Sequence, residues 1–366
     1  MKIVADKDIP FVEHYFADCG ELVLISGRTL KREQLLDADI LLSRSVTPIN
    51  RELLEDTPVR FVACVSTAEN HIDNVWLDAK KIGWCTAAGF NATPVVEYVV
   101  SVIAALQKNN LLQPKNLRAG VIGVGRIGSQ VVEKLKLLGF SVVMCDPIRA
   151  EREPDFISKA LENFTDLDLI TLHVPLTWDG AYPTYHFINR KFLQRQKTGA
   201  VLINAARGSV IDSEDFKIAG TQLHACFDVW ENEPRIDKKI LQQALIATPH
   251  IAGYSVQSKY RGTEMIYNKL RAAKIISATA KSSLPLPHLR LDALQDWRDV
   301  VLQVFNPSKL TAEMKQRLLN KNDDGTVFDT MRREFIHRHE FAYVDLADLK
   351  VSQADRWLLQ KLGFLF

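Results

Sequence analysis

Residues 118–146, RAGVIGVGRIGSQVVEKLKLLGFSVVMCD, constrain the fold of this chain more than any other stretch. A short apolar run, Val121 and Ile122, ends in Gly123-Val124-Gly125-Arg126-Ile127-Gly128. Apolar residues then recur at Ile127, Val131, Leu135 and Leu138, the spacing of one helix face. A second apolar run closes on Asp146. Strand, glycine turn, helix, strand and acid together describe a dinucleotide-binding βαβ unit. Gly123 allows the tight turn, Gly125 lets the backbone approach a pyrophosphate, and Gly128 lets the helix pack closely on the strand. The helix N-terminus offers N–H groups to the phosphates. Asp146, roughly 20 residues on, is placed to accept hydrogen bonds from the adenosine ribose hydroxyls. Its charge disfavours a 2′-phosphate, so the pattern reads as a site for NAD, not NADP.

The 366 residues leave room for two or three domains around a large core. Lys+Arg (46) and Asp+Glu (44) nearly cancel, which argues against a nucleic-acid partner. No apolar run approaches the length of a membrane span, and MKIVADKDIP reads as a first strand and not as a signal peptide. Cys19, Cys64, Cys85, Cys145 and Cys226 are scattered, with no CxxC pair. They read as reduced core residues of a cytoplasmic protein, neither disulfides nor metal ligands, and no metal site is expected.

Residues 1–92 alternate short apolar runs (Lys2–Ala5, Leu22–Ile25, Ile40–Ser43, Phe61–Val65) with polar, helix-like stretches, as a parallel α/β sheet requires. Two of these runs end in polar clusters, Arg44-Ser45-Val46-Thr47 and Ser66-Thr67-Ala68-Glu69-Asn70-His71. Open α/β sheets bind ligands at the carboxyl ends of their strands, so both are candidate substrate loops. Arg44 suits an anion, with Ser45, Ser66 and Thr67 as further donors; ordinary turn chemistry explains the same residues equally well. Thr93 and Pro94 predict the N-cap and first turn of a connecting helix whose apolar stripe is Val95, Val99, Val102, Ile103 and Leu106. Later apolar runs at Leu169–Leu172, Ala200–Ile203, His224–Phe227 and Ile246–Thr248 each lead into a polar cluster. A parallel sheet gathers those clusters on the rim that holds the glycine turn.

The chain thus reads as a Rossmann-type parallel-sheet domain over 94–253 and a second α/β domain over 1–93 with a returning helical segment at 254–285. Ser283–Pro287 reads as a linker. A small C-terminal α+β domain over 286–366 follows, with helix-like stretches at Asp292–Phe305 and Thr311–Asn320 and a strand at Phe341–Leu346.

The rim clusters carry a consistent chemistry. Oxidising an alcohol with NAD needs a base for the hydroxyl proton and a cation to hold the substrate and polarise the new carbonyl. His250 suits the base, because an imidazole exchanges protons near neutral pH. Glu233 suits its partner, stabilising imidazolium and the ring tautomer. Arg207 offers a planar fork matching a 2-hydroxy carboxylate. Singly, each has a plain structural explanation; three on successive strand ends beside a dinucleotide fingerprint favour a site. His173 is the competing histidine, with no acid at a comparable position, and fits cofactor packing better. Asp228 is a candidate for the nicotinamide carboxamide or a buried cap.

Gly123–Gly128 with Asp146, HVPLT at 173–177, NAARGSVID at 204–212, DVWENEP at 228–234 and TPHIAGY at 248–254 together resemble the D-isomer-specific 2-hydroxyacid dehydrogenases over about residues 40–260. The resemblance implies Arg207, Glu233 and His250 as the catalytic set, and a flavodoxin-like substrate domain built from the N-terminal segment plus the returning helix. It implies NAD contacts at Gly123, Gly125, Arg126, Ile127, Gly128, Asp146, His173, Val174, Ala205, Ala206, Arg207, Asp228 and Gly253. RSVT at 44–47, GFNATPVVEYV at 89–99, HIAGYS at 250–255, FDTMRREFIHRHEFAYV at 328–344 and KLGF at 361–364 resemble one branch that acts on a phosphorylated 2-hydroxy acid. That likeness implies a cytoplasmic homodimer joined through the C-terminal domain, and substrate contacts at Ser45, Ser66 and Tyr254 beside the candidate Arg44. The second loop departs from the family's TATAGTDHID, reading CVSTAENHID at 64–73. Glu69 there is unfavourable near a phosphate unless it points away or pairs with Arg44. The alternatives are a dehydrogenase for another acid such as 3-phosphoglycerate, or a non-catalytic NAD-sensing interaction protein.

Overall fold

The computed structural model describes residues 1–67, 69–113, 116–281, 286, 288–291, 296–320, 325–335, 338–347 and 350–366. The linker expected at Ser283–Pro287 lies outside the described residues except for Leu286, and so does the start (292–295) of the helical stretch expected from Asp292. The chain forms two compact units, Met1–Asn91 with Ser255–Leu286, and Ala92–Tyr254 with Pro287–Phe366.

In the first unit, strands β1 (Lys2–Asp6), β2 (Glu21–Ile25), β3 (Ile40–Ser43), β4 (Phe61–Cys64) and β5 (Gly83–Thr86) form a parallel sheet of order β2-β1-β3-β4-β5. This is the flavodoxin-like order. Successive strand residues alternate between two cores. Ile3, Ala5, Ile40, Leu42 and Ala63 pack on one face, and Val4, Leu41, Val62 and Cys64 on the other. Both faces are covered, so the strands read as unbroken apolar runs. The helix Val256–Ala272 closes the first face with Ile266, Tyr267 and Leu270.

The second unit contains β6 (Arg118–Ile122), β7 (Ser141–Cys145), β8 (Leu169–Leu172), β9 (Val201–Asn204), β10 (His224–Phe227) and β11 (Ile246–Ala247). They form a parallel sheet of order β11-β10-β9-β8-β6-β7. The order reverses between β6 and β8, so the turn after β6 sits at the topological switch point where such sheets bind ligands. Val121, Leu169, Val201, Ile203 and Cys226 face one core, and Ile122, Ile170, Leu172, Leu202 and Phe227 the other. Each fully buried aliphatic side chain contributes about 1.5–3 kcal/mol.

The connecting helix runs over Ala92–Lys108, so Thr93 lies inside its first turn and is not its N-cap. Its Val95, Val99, Val102, Ile103 and Leu106 pack on the sheet, while Val100 and Ala104 pack on Trp297, Val300, Val301 and Leu359 of the C-terminal segment. A helix covered on two sides is apolar nearly all round. That segment carries helices Trp297–Val304, Pro307–Leu319, Thr326–Glu334 and Gln353–Leu362, and a two-strand parallel pair, β12 (Leu289–Arg290) with β13 (Val344–Asp345). The strand expected over Phe341–Leu346 is therefore confined to two residues. Phe341–Tyr343 forms a 3-10 turn instead, since β12 offers only two residues to pair with. Arg338 binds this segment to the sheet rim and Glu97 binds it to the connecting helix. The Arg338 Nη2 donates to the Ala252 carbonyl at 3.1 Å, and the Glu97 Oε1 accepts from the Phe341 amide at 2.8 Å.

Among the described residues no helix is long and apolar enough to cross a membrane, and no His, Cys, Asp or Glu cluster suits a metal ion. All five cysteines are free thiols.

Candidate active site

The glycine turn is built as the spacing requires. Gly123 has φ +84°, and a Cβ there would meet the His173 carbonyl oxygen at 2.6 Å. At Gly128 a Cβ would lie 1.9 Å from the Gly123 carbonyl oxygen, so only glycine lets the helix Arg126–Leu137 approach β6. Gly125 differs from both: a Cβ there would have nothing within 4 Å. The packing of the protein does not require glycine at that position, whereas close approach by a phosphate does. The open backbone at the head of a helix fits the pyrophosphate of NAD.

Asp146 follows β7 and is tied to the same turn. Its Oδ2 accepts from the Val124 amide at 2.8 Å and its Oδ1 from the Arg149 amide at 3.0 Å. The carboxylate thus lies beside the glycine turn, where the ribose of the bound dinucleotide was expected. Across the switch point, the His173 amide donates to the Ile122 carbonyl at 2.7 Å, and its Nε2 lies 2.9 Å from the Thr171 hydroxyl. Burial pushes the His173 pKa down to about 3, so its ring is neutral at working pH. A ring held neutral in this way is unsuited to cycling through imidazolium.

The Arg207 loop follows β9. Asn204 fastens it from both sides: its Oδ1 accepts from the Ala206 amide at 3.1 Å and its Nδ2 donates to the Arg207 carbonyl at 2.9 Å. Gly208 packs so tightly that a Cβ would lie 2.0 Å from the Trp230 backbone, which brings the loops after β9 and β10 together. Burial lowers the Arg207 pKa and the Glu233 charge offsets part of that; the Arg207 Nη1 donates to the Ala206 carbonyl at 2.7 Å.

Glu233 and His250 form a direct pair. The Glu233 Oε2 lies 2.6 Å from the His250 Nδ1, and its Oε1 accepts from the Trp230 amide at 2.7 Å. With Nδ1 turned to the carboxylate, Nε2 is the ring atom left for a substrate. Burial alone raises the Glu233 pKa; the His250 imidazole, the Trp230 amide and the Arg332 guanidinium outweigh it and hold the carboxyl below its ordinary 4.5. Glu233 is therefore ionised at neutral pH.

His250 itself adopts φ +55°, a left-handed conformation that a histidine adopts at a cost. Asp228 holds the backbone there. Its carbonyl accepts from the His250 amide at 2.7 Å, and its carboxylate accepts from the Ile251 amide (2.8 Å), the Ala252 amide (2.9 Å) and the Thr248 hydroxyl (2.6 Å). Tyr98 Oη lies 2.9 Å from the same hydroxyl. These bonds make Asp228 a buried cap of the turn at 248–252. Asn204, Gly208 and Thr248 escaped the sequence reading as site-builders, although the first two flank the Arg207 motif and the third ends a strand. Arg332, 78 residues from Tyr254 yet bonded to its hydroxyl, carries no local signal.

The first unit holds the other candidates. Arg44 donates from Nε to the Asp6 Oδ2 at 2.7 Å and from Nη2 to the Asp8 Oδ2 at 2.7 Å. Its carboxylate partners are these two residues and not the Glu69 that the sequence offered. Ser45 is exposed, whereas Ser66 is buried with its Oγ 3.3 Å from the Cys64 thiol, which in turn lies 3.1 Å from the His71 Nε2.

A family model described as the NAD binding domain of D-isomer specific 2-hydroxyacid dehydrogenases matches residues 101–252. An erythronate-4-phosphate dehydrogenase of Coxiella burnetii (strain RSA 331 / Henzerling II) is 42% identical, covering 94% of this chain and 95% of its own. One from Marinobacter nauticus is 38% identical and covers 100% of this chain and 99% of its own. Among solved structures, D-lactate dehydrogenase from Aquifex aeolicus complexed with NAD and lactic acid superposes with TM-score 0.61 at 24% identity, over 75% of this chain and 96% of that one. An NAD-dependent formate dehydrogenase from Staphylococcus aureus in complex with NAD gives TM-score 0.61 at 20% identity, over 77% and 100%. These two structures share the fold.

Proposed function

The chain belongs to the erythronate-4-phosphate dehydrogenase family, and from that premise we propose that it oxidises 4-phospho-D-erythronate at C2 to 2-oxo-3-hydroxy-4-phosphobutanoate. The acceptor is NAD, and the step is one of pyridoxal 5′-phosphate biosynthesis. The observation that carries the reading is the 2.6 Å contact between Glu233 and the His250 Nδ1.

Bound NAD supplies the hydride acceptor. Gly125 and the head of the helix Arg126–Leu137 hold its pyrophosphate, with Gly123, Arg126, Ile127 and Gly128 shaping the turn and Asp146 taking the ribose. His173, Val174, Ala205, Ala206, Asp228 and Gly253 complete the cofactor walls. His250 accepts the C2 hydroxyl proton at Nε2 as the C–H bond gives up its hydride and the carbonyl forms. Glu233 stabilises the imidazolium that results, and general acid–base help of this kind contributes about 10²–10⁴-fold. Arg207 binds the substrate carboxylate in a fork and polarises the adjacent oxygen as it becomes a carbonyl. Ser45, Ser66, Tyr254 and Arg44 are the substrate-binding candidates; Arg44 is the weakest, since two carboxylates already offset its charge.

We place the protein in the cytoplasm, consistent with its free cysteines. We assign it as a homodimer joined through residues 286–366, with no nucleic-acid or membrane partner. The domain division follows the same reading: 1–93 with 254–285 for substrate, 94–253 for NAD and 286–366 for dimerisation.

Steady-state NADH formation with 4-phospho-D-erythronate, 3-phosphoglycerate and D-lactate tests the reading. A kcat/KM for the first at least about 100-fold above that for D-lactate is expected, since a bound phosphate adds several charge-assisted hydrogen bonds, and above that for 3-phosphoglycerate, whose phosphate sits on a chain one carbon shorter. Preference for 3-phosphoglycerate would keep the chemistry and remove the substrate. Absence of turnover with every acid, in a protein that binds NAD, would support the sensor alternative.

A further inference from the structure

The second unit contains a cation to which the mechanism above gives no task. Arg332 lies in the helix Thr326–Glu334, outside the span matched by the family model. Its Nη2 donates to the Tyr254 hydroxyl at 3.2 Å, four residues beyond His250. Its Nη1 is 3.6 Å from Asp329 on the same helix, too far for a hydrogen bond. Its Nε is buried and has no hydrogen-bond partner among the described residues. Burial opposes the charge, but Tyr254, Glu233 and Asp329 outweigh it and keep the group cationic. A buried guanidinium N–H without an acceptor is unfavourable, so the position is one that an added acceptor improves.

The proposed substrate brings two anions to the site. Its carboxylate is assigned to Arg207, which leaves the phosphate. Arg44 is a poor ligand for it, held by Asp6 through two nitrogens and by Asp8 through one of them. Arg332 has one long ion pair and one bond to the Tyr254 hydroxyl. A phenol that accepts from a cation also donates more strongly through its own O–H, because hydrogen bonds in series polarise one another. The planar fork of a guanidinium matches phosphate oxygens.

Resting on the functional reading above, we propose that Arg332 is a specificity-determining residue that, together with Tyr254, donates to the phosphate of the substrate. The C-terminal segment then contributes a substrate ligand as well as any contact between subunits. Asp329 and Glu233 are the acids facing this group, and they limit its affinity for anions in the absence of substrate.

The test compares Arg332→Gln with wild type on 4-phospho-D-erythronate and on D-erythronate, with NADH binding measured alongside as a control for folding. For the phosphorylated acid kcat/KM falls by about 100-fold, mostly through KM, because charge-assisted bonds are lost. The loss with D-erythronate is at most about threefold, so the preference for phosphate collapses. Arg332→Lys recovers part of it, keeping the charge and losing the fork. Equal losses on both acids, or a displaced pH profile with the preference intact, would assign Arg332 to Glu233 as a positioning residue and overturn the phosphate role. A wild-type enzyme indifferent to the phosphate would instead remove the functional reading itself, whatever the variant does.

Discussion

Replacing His250 with asparagine lowers kcat by about 10²–10⁴-fold and leaves NAD affinity within about twofold. Asparagine is the informative choice on backbone grounds. His250 has φ +55°, and asparagine enters the left-handed region more readily than most residues. The amide network from Asp228 to residues 250–252 then stays in place, and so does a partner for Glu233. What disappears is the proton acceptor. Glu233→Gln isolates the other half of the pair: the ring remains, but its imidazolium loses the ionised neighbour held below the ordinary carboxylate range. Steady-state rates with NADH fluorescence titrations measure both variants. Retained oxidation in His250→Asn would remove the acid–base assignment.

The second large effect separates two glycines of one motif. In Gly128→Ala the new Cβ would lie 1.9 Å from the Gly123 carbonyl oxygen, a clash with backbone that no rotamer relieves. The helix must move off β6, at a cost of about 3 kcal/mol or more. Gly125→Ala meets nothing within 4 Å, so stability should hold within about 0.5 kcal/mol. Its methyl group instead occupies the approach of the pyrophosphate, and NAD affinity falls at least about tenfold. Urea denaturation and NAD titration of each variant read the two outcomes. A Gly125→Ala protein that binds NAD normally would refute the phosphate cradle, and a stable Gly128→Ala would refute the packing.

Much of this site was legible because its parts are local. The glycine turn, the helix stripe and Asp146 lie within one βαβ unit, and Arg207, Glu233 and His250 each follow an apolar strand by a few residues. Parallel topology does the rest of the placement, since every strand in the sheet points the same way. The misses have equally physical causes. β5 passed unnoticed because Gly83-Trp84-Cys85-Thr86 is four residues long and begins with glycine. Phe341–Leu346 reads as a strand because it is a short apolar run, yet only Val344 and Asp345 pair with β12. Thr93 resembles a cap, but the helical hydrogen bonding already includes Ala92. The Arg44 charge was visible and its neutralisation was not, because Asp6 lies on a different strand 38 residues away. Arg332 is the extreme case: its role rests on a contact across 78 residues that no periodicity encodes.

The central claim is that this site transfers a hydride from C2 of a phosphorylated 2-hydroxy acid while His250 takes the hydroxyl proton. A single-turnover experiment with 4-phospho-D-erythronate deuterated at C2, followed by mass analysis of the recovered cofactor, tests it most directly. The account predicts one deuterium in the reduced cofactor from the wild-type protein and none from His250→Asn on the same timescale. Cofactor recovered oxidised and unlabelled from a wild-type protein shown to bind both ligands would contradict it.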